Sequence, residues 1–100
     1  MSKYEPNGQP LTDYEFELLI ILMEECAEVT QAASKLLRFG RENRPPERDV
    51  PNTTILAHEV GDLQEVVEMV GVAGLISAVD VAAGRKRKRE RLAFFMQASR

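Results

Sequence analysis

Five acidic side chains at helical spacing are the residues of this sequence best suited to chemistry. Glu24, Glu25 and Glu28 fall within positions 24–28, and Glu59 and Asp62 form a second group later in the chain. Residues three apart on an α-helix project from one face, so Glu25 and Glu28 form one pair and Glu59 and Asp62 another. Two such faces packed together bring four carboxylates into one place, a known way to build metal sites in helical bundles. Because Mg²⁺ prefers hard oxygen ligands, the spacing predicts a magnesium site, with solvated surface acids as the alternative.

Basic residues could handle phosphate charge beside such a site. Lys35 follows Glu28 by two helical turns and should share its face. Near the C-terminus the sequence reads "RKRKRER" over residues 85–91, where Lys88 and Arg91 are three apart. Arginine and lysine both suit phosphate contacts, but a solvated helix face is the alternative for each of these residues. Nucleic acid is a third reading of the block, disfavoured by the net charge of −3 and by the lack of interleaved aromatic residues.

Length and composition limit the architecture that can hold these residues. One hundred residues make one domain, or half of an intimately shared one. The chain is 44% hydrophobic and 29% charged, as in ordinary globular proteins. No run approaches the roughly 18 apolar residues of a membrane-spanning helix, and the start lacks the layout of a signal peptide. Cys26 is the only cysteine, so an intrachain disulfide is impossible and a cytoplasmic location is the default expectation.

The sequence predicts three principal helices. Residues 1–11 are expected to form an arm, and residues 12–100 a single helical domain. The segment "TDYE" has capping-box spacing and predicts a first helix from Thr12, which Gly40 ends. The prolines of 41–51 predict a loop, after which Asn52 or Thr53 should cap a second helix that ends near Gly71 and Gly74. A third helix is expected from Ser77 to about Ala98.

No segment alternates with period two, so the fold class is all-α, with three to four helices in a bundle. Segment 18–23 is apolar around most of its circumference, more than one partner helix can cover. Homo-oligomerisation, as a homodimer or homotetramer, is therefore expected to complete the bundle. The positions predicted to face the core are Phe16, Leu19, Ile20, Met23 and Ala27 on the first helix, and Ile55, Leu56, Leu63, Val66, Val67 and Val70 on the second.

Two motifs resemble a known family. "EECAE" at 24–28 matches Glu-Glu-x-x-Glu, and "EVGD" at 59–62 matches Glu-x-x-Asp, in the order found in MazG-like all-α nucleoside triphosphate pyrophosphohydrolases. The segments "ASKLLRFG" and "KRERLAFFM" are also similar to short members of that family. The resemblance covers about residues 11–97.

The resemblance implies a Mg²⁺-dependent enzyme, with Mn²⁺ as a substitute, that cleaves NTP or dNTP to NMP and pyrophosphate. It implies that Glu24 orients or deprotonates the attacking water, although an exposed surface acid is the alternative. Lys88 and Arg91 match basic positions that contact phosphates in relatives. The implied metal ligands are Glu25, Glu28, Glu59 and Asp62.

Other functions stay open on the sequence. Phosphoribosyl-ATP pyrophosphohydrolases share the superfamily fold and are the alternative within the enzyme class. A helical module that binds nucleic acid or another protein, without catalysis, is the alternative outside it. Retention of all five motif acids favours the enzyme.

Overall fold

The computed structural model describes residues 8–98 and consists of three helices: α1 Asp13–Phe39, α2 Asn52–Val72 and α3 Ala78–Phe95. No strand occurs within the described residues, which confirms the all-α prediction. Of the predicted arm, residues 1–7 lie outside the described part, and residues 8–11 precede α1 without helical structure. None of the helices in 8–98 combines the length and apolar character needed to cross a membrane.

The predicted capping box begins α1. The Glu15 backbone N–H donates to Thr12 Oγ1 at 3.1 Å, and the Thr12 N–H donates to Glu15 Oε1 at 2.8 Å. These bonds satisfy backbone donors that the first turn leaves free, and Asp13 and Glu15 also suit the positive end of the helix dipole. Gly40 ends the helix with a φ of 86°, which favours glycine, and its N–H donates to Leu36 O.

The second helix begins one or two residues earlier than predicted. Pro51 occupies the N-cap position and no side chain caps the helix, so the prediction that Asn52 or Thr53 would do so is wrong. Asn52, only 2% exposed, instead donates its side-chain N–H to Gly40 O at 3.1 Å. A buried amide needs a partner, and this bond ties the start of α2 to the end of α1.

α1 and α2 pack as an antiparallel pair. Leu18, early in α1, contacts Val66 and Val70 late in α2. Ala32, late in α1, lines a small cavity with Ile55 early in α2. The seam between α1 and α2 is therefore the core of the described chain, and it fixes which side chains of the two helices meet.

The predicted core face was right for α2 and wrong for most of α1. Ile55, Val66 and Val70 are buried as predicted, Leu56 and Leu63 are half-buried, and Val67 is exposed. On α1 the buried residues are Leu18 and Ala32. Leu19 is half-buried, while the other predicted core positions of α1 are exposed: Phe16, Ile20, Met23 and Ala27. The segment is apolar on two sides, so periodicity alone could not say which side meets α2.

α3 stands almost apart from the seam. Ser77 caps it as predicted, its Oγ accepting from the Asp80 N–H at 3.0 Å. No residue of α3 is buried, and only α1 and α2 pack together extensively. The helix ends at Phe95 rather than near Ala98, because residues 96–98 are exposed and no packing opposes fraying of the last turn. The Cα radius of gyration is 17.5 Å, against about 13 Å for a compact domain of this length.

Candidate metal centre

Carboxylates interrupt the apolar seam between α1 and α2. On α1, Glu25 follows Leu18 by seven positions and precedes Ala32 by seven, so all three share a stripe. On α2, Glu59 and Asp62 lie between Ile55 and Val66 at helical spacing. The two stripes face each other because the helices are antiparallel. An apolar layer therefore closes the seam on each side of the acidic group.

Glu25, Glu59 and Asp62 meet across the seam. One carboxylate oxygen from each lies within 4.8 Å of the other two. Glu25 and Glu59 are half-buried, and Asp62 is exposed. Opposite ligands of one Mg²⁺ are about 4.2 Å apart, so small side-chain movements bring these oxygens into coordination distance. The donor set consists of hard, anionic oxygens open to water on one side, which fits Mg²⁺ or Mn²⁺.

The other two motif acids lie beside this group. Glu28, predicted as a fourth ligand, is exposed and does not join the three oxygens, but it lines a small cavity with Glu59. Glu24 is exposed and is next to Glu25 in the chain. The structure thus brings together three of the four predicted ligands and leaves Glu28 and Glu24 at the border.

The surroundings of Glu25 favour its protonated form. Partial removal from water, followed by the negative charges of Asp62, Glu59, Glu28 and Glu24, raises the pKa of Glu25 above its ordinary value. Carboxylates gathered this closely repel one another, and a divalent cation would reduce that repulsion.

This shift makes the stability of the metal-free protein depend on pH. A raised carboxyl pKa means that the folded state holds the proton more tightly than the unfolded state. We expect the Glu25 contribution to favour folding below the unfolded carboxyl pKa of about 4.3 and to be lost as pH rises through the folded-state pKa. Thermal unfolding with a chelator, compared with Glu25→Gln, measures it: the variant should gain stability relative to the wild type as pH rises. A constant difference from pH 4 to 8 would contradict the expectation.

Lys35 reaches the border of the carboxylate group, as predicted. It is half-buried and lines the same small cavity as Glu28 and Glu59. Arg48, from the loop between α1 and α2, lines this cavity too. Within residues 8–98 the only ion pair joins Arg44 and Asp49, so Lys35 and Arg48 are not neutralised by a carboxylate at close range.

Arg48 was missed by the sequence analysis. Its segment, "RENRPPERDVPNTT", was interpreted only as a loop because of its prolines. A loop has no periodicity that assigns side chains to a face. The available signal was weaker: a cation-rich loop that connects the two helices carrying the acids.

The structure does not bring Lys88 and Arg91 to the carboxylates within one chain. Both are exposed on α3, and neither lines the cavity that holds Lys35, Glu28 and Glu59. The physical reason is that α3 scarcely packs on the seam. Their predicted contact with phosphate requires either a second copy of the chain or a different position of α3.

Comparison of the chain with models of protein families, with curated proteins and with solved structures gave no match. The resemblance to MazG-like enzymes therefore stays a prediction that depends on the motif acids and on their geometry across the seam.

Proposed function

We propose that the chain is a Mg²⁺-dependent pyrophosphohydrolase that cleaves nucleoside triphosphates to a monophosphate and pyrophosphate. The observation that supports this most is the meeting of Glu25, Glu59 and Asp62 within 4.8 Å in the middle of an apolar seam. Two of the three side chains, Glu25 and Glu59, are half-buried at this point of contact between the two helices. Partial removal from water, and then the neighbouring carboxylates, raise the pKa of Glu25, and a bound cation would favour its charged form.

Glu25, Glu59 and Asp62 would hold the cation, with Glu28 within reach as a further ligand. Bound Mg²⁺ would neutralise phosphate charge and make the α-phosphorus more electrophilic. Phosphoryl transfer depends mainly on such charge neutralisation and on positioning, so no protein nucleophile is required.

The remaining residues have separate roles in the proposed reaction. Lys35 and Arg48 bind phosphate oxygens at the cavity beside the carboxylates. Glu24, exposed and adjacent to Glu25, accepts a proton from the attacking water. The water oxygen forms a bond to the α-phosphorus, the bond from that phosphorus to the α–β bridging oxygen breaks, and pyrophosphate leaves with its electron pair.

Incubation with a panel of NTPs and dNTPs tests the proposal directly. We expect Mg²⁺-dependent release of pyrophosphate from at least one nucleotide, with Mn²⁺ as a partial substitute, and none with a chelator. Glu28→Gln should reduce the rate, because it removes a charge beside the metal group, whereas exposed Glu42→Gln, in the loop that follows α1, should not. Absence of pyrophosphate from every nucleotide would reject the proposal. Phosphoribosyl-ATP belongs in the panel as the alternative substrate.

We further propose that the active form is a homodimer or homotetramer. Large apolar side chains are exposed on all three helices, among them Met23 on α1, Val72 on α2 and Phe94 on α3. A groove of about 490 Å³ lies between the end of α2 and the start of α3. Most helical stability in proteins comes from packing of an apolar face, and α3 scarcely packs within one chain, which favours a partner.

The charge of α3 suits the same assembly. Its basic run could reach the acidic seam of a second copy, which would bring Lys88 and Arg91 to a phosphate site. The exposed basic run also keeps nucleic-acid binding as the alternative, but the exposed Phe94 and Phe95 on the same helix favour a protein partner. Light scattering of the free protein tests the assembly, and a gel shift with nucleic acid at low salt tests the alternative.

A further inference from the structure

A second, larger cavity lies beyond the cavity that joins Lys35 to the carboxylates. Its volume is about 430 Å³, within the range of small-molecule sites. It is enclosed by the end of α1, the following loop and the start of α2. The residues that line it are Lys35, Phe39, Asn43, Arg44, Pro45, Pro46, Glu47 and Asn52.

The larger cavity, the small cavity and the carboxylate group are neighbours that share residues. Glu59 belongs both to the carboxylate group and to the small cavity. Lys35 belongs both to the small cavity and to the larger one. The carboxylate group offers anionic oxygens, and the small cavity beside it adds Lys35 and Arg48. The larger cavity combines the Phe39 ring and the Asn43 amide with the charged side chains of Arg44 and Glu47.

Backbone bonds, together with the side chains of Arg44 and Asn52, hold the walls of the larger cavity. The Asn52 N–H donates to Asn43 O at 2.9 Å, and the Arg48 N–H donates to Pro45 O at 3.0 Å. Arg44 donates to Asp49 O at 3.0 Å and lies 3.6 Å from the Asp49 carboxylate. These bonds preorganise the loop and leave the side chains of Phe39 and Asn43 free for a ligand.

The chemistry of the larger cavity matches the nucleoside part of a nucleotide. Phe39 is 56% exposed, and its ring lines the cavity. Base–aromatic stacking tolerates any base, because every base has a π-face. The Asn43 amide offers both donors and an acceptor, which suits the edge of a base. Arg38 places its guanidinium carbon 5.0 Å from the Phe39 ring centroid, which orients the ring.

We propose that this cavity binds the nucleoside part of the substrate, with the base on Phe39 and the α-phosphate toward the carboxylates, while Lys35 and Arg48 bind phosphate oxygens beside them. The proposal rests on the pyrophosphohydrolase function proposed above and specifies how its substrate lies. It assigns recognition of the nucleoside to segment 39–48, which separates base binding from the metal centre.

Two probes test the proposed nucleoside site and the phosphate-binding residues separately. One probe is a set of α,β-methylene analogues of ATP, GTP, CTP and UTP, which cannot be cleaved between the α- and β-phosphates. The other is inorganic tripolyphosphate, which has the phosphates but no nucleoside. Each is titrated with Mg²⁺ by calorimetry into the wild type and three variants: Phe39→Ala, Arg48→Gln and the control Leu37→Ala, whose side chain is 89% exposed and lines neither cavity.

We expect Phe39→Ala to weaken the best-bound analogue about tenfold and to leave tripolyphosphate binding unchanged. Arg48→Gln should weaken both probes, and Leu37→Ala neither. Phe39→Leu keeps an apolar side chain but removes the ring, and it should also weaken binding of the analogue. This variant shows whether the effect of Phe39→Ala comes from the lost ring rather than from a folding defect. In turnover, Phe39→Ala should raise KM more than it lowers kcat.

Two results would overturn the inference, and only the second would also contradict the proposed function. If the wild type releases pyrophosphate from nucleotides but Phe39→Ala binds the analogues as tightly as the wild type, the nucleoside lies elsewhere and only this inference fails. If the wild type binds neither the analogues nor tripolyphosphate and releases no pyrophosphate, the proposed function fails as well.

Discussion

Glu59→Gln is expected to lower pyrophosphate release on the order of 100-fold or more. Glu59 contributes an oxygen to the three-carboxylate group and also lines the cavity that holds Lys35 and Arg48. Glutamine keeps the size of the side chain but removes its negative charge. The cation therefore loses an anionic ligand, and with it the charge that counters a polyphosphate.

Three measurements distinguish this loss from unfolding. Mg²⁺ should raise the midpoint of thermal unfolding of the wild type and not that of Glu59→Gln, since a ligand that binds only the folded state stabilises it. In a chelator the variant should be at least as stable as the wild type, because removing one of three close like charges relieves repulsion. Glu65→Gln, an exposed glutamate on the same helix, is the matched control and should behave as the wild type. Wild-type activity in Glu59→Gln would mean that the carboxylate group is not the catalytic centre.

Leu18→Ala is expected to reduce the free energy of unfolding by about 2–5 kcal/mol. Leu18 is 2% exposed and packs against Val66 and Val70, which makes it the main contribution of α1 to the seam. The substitution leaves a void and less buried apolar surface in a core that has few other residues. Typical domains have only about 5–15 kcal/mol in total, so this substitution should unfold a large fraction of the molecules at moderate temperature.

Leu37→Ala provides the comparison on the same helix. Its side chain is 89% exposed, and surface substitutions of this kind change stability by about 0.5 kcal/mol at most. Urea unfolding of both variants, at one protein concentration to keep any assembly equal, measures the difference. Equal midpoints for the two would show that the contact of Leu18 with α2 is not what holds α1 and α2 together.

Sequence patterns predicted the local features of the helices well. The Thr12–Glu15 capping box and the Ser77 cap are made by bonds between residues three apart, so the local sequence alone predicts them. Gly40 was likewise predicted to end α1, and its positive φ, which glycine adopts readily, agrees with that prediction. Where a side chain had a choice of partner, local pattern failed: Asn52 bonds to Gly40 O across the loop instead of capping its own helix.

Only part of the candidate site could be predicted from the sequence. Spacing paired Glu25 with Glu28, yet across the seam Glu25 meets Glu59 and Asp62 while Glu28 stays outside. The exact rotation of α1 decides this, and an apolar segment with two usable faces leaves that rotation open. Arg48 and Phe39 could not be assigned at all, because a loop and a helix end carry no periodicity.

By itself, the sequence determined that the described chain is helical, where α1 begins and ends and where α3 begins, because those properties depend on neighbours within a few residues. Only the tertiary structure decided which face of α1 meets α2, which three carboxylates converge, and that Lys88 and Arg91 stay distant within one chain. These depend on contacts between residues far apart in the sequence, and their outcome is set by how the two helices pack and by the bonds that hold the connecting loop.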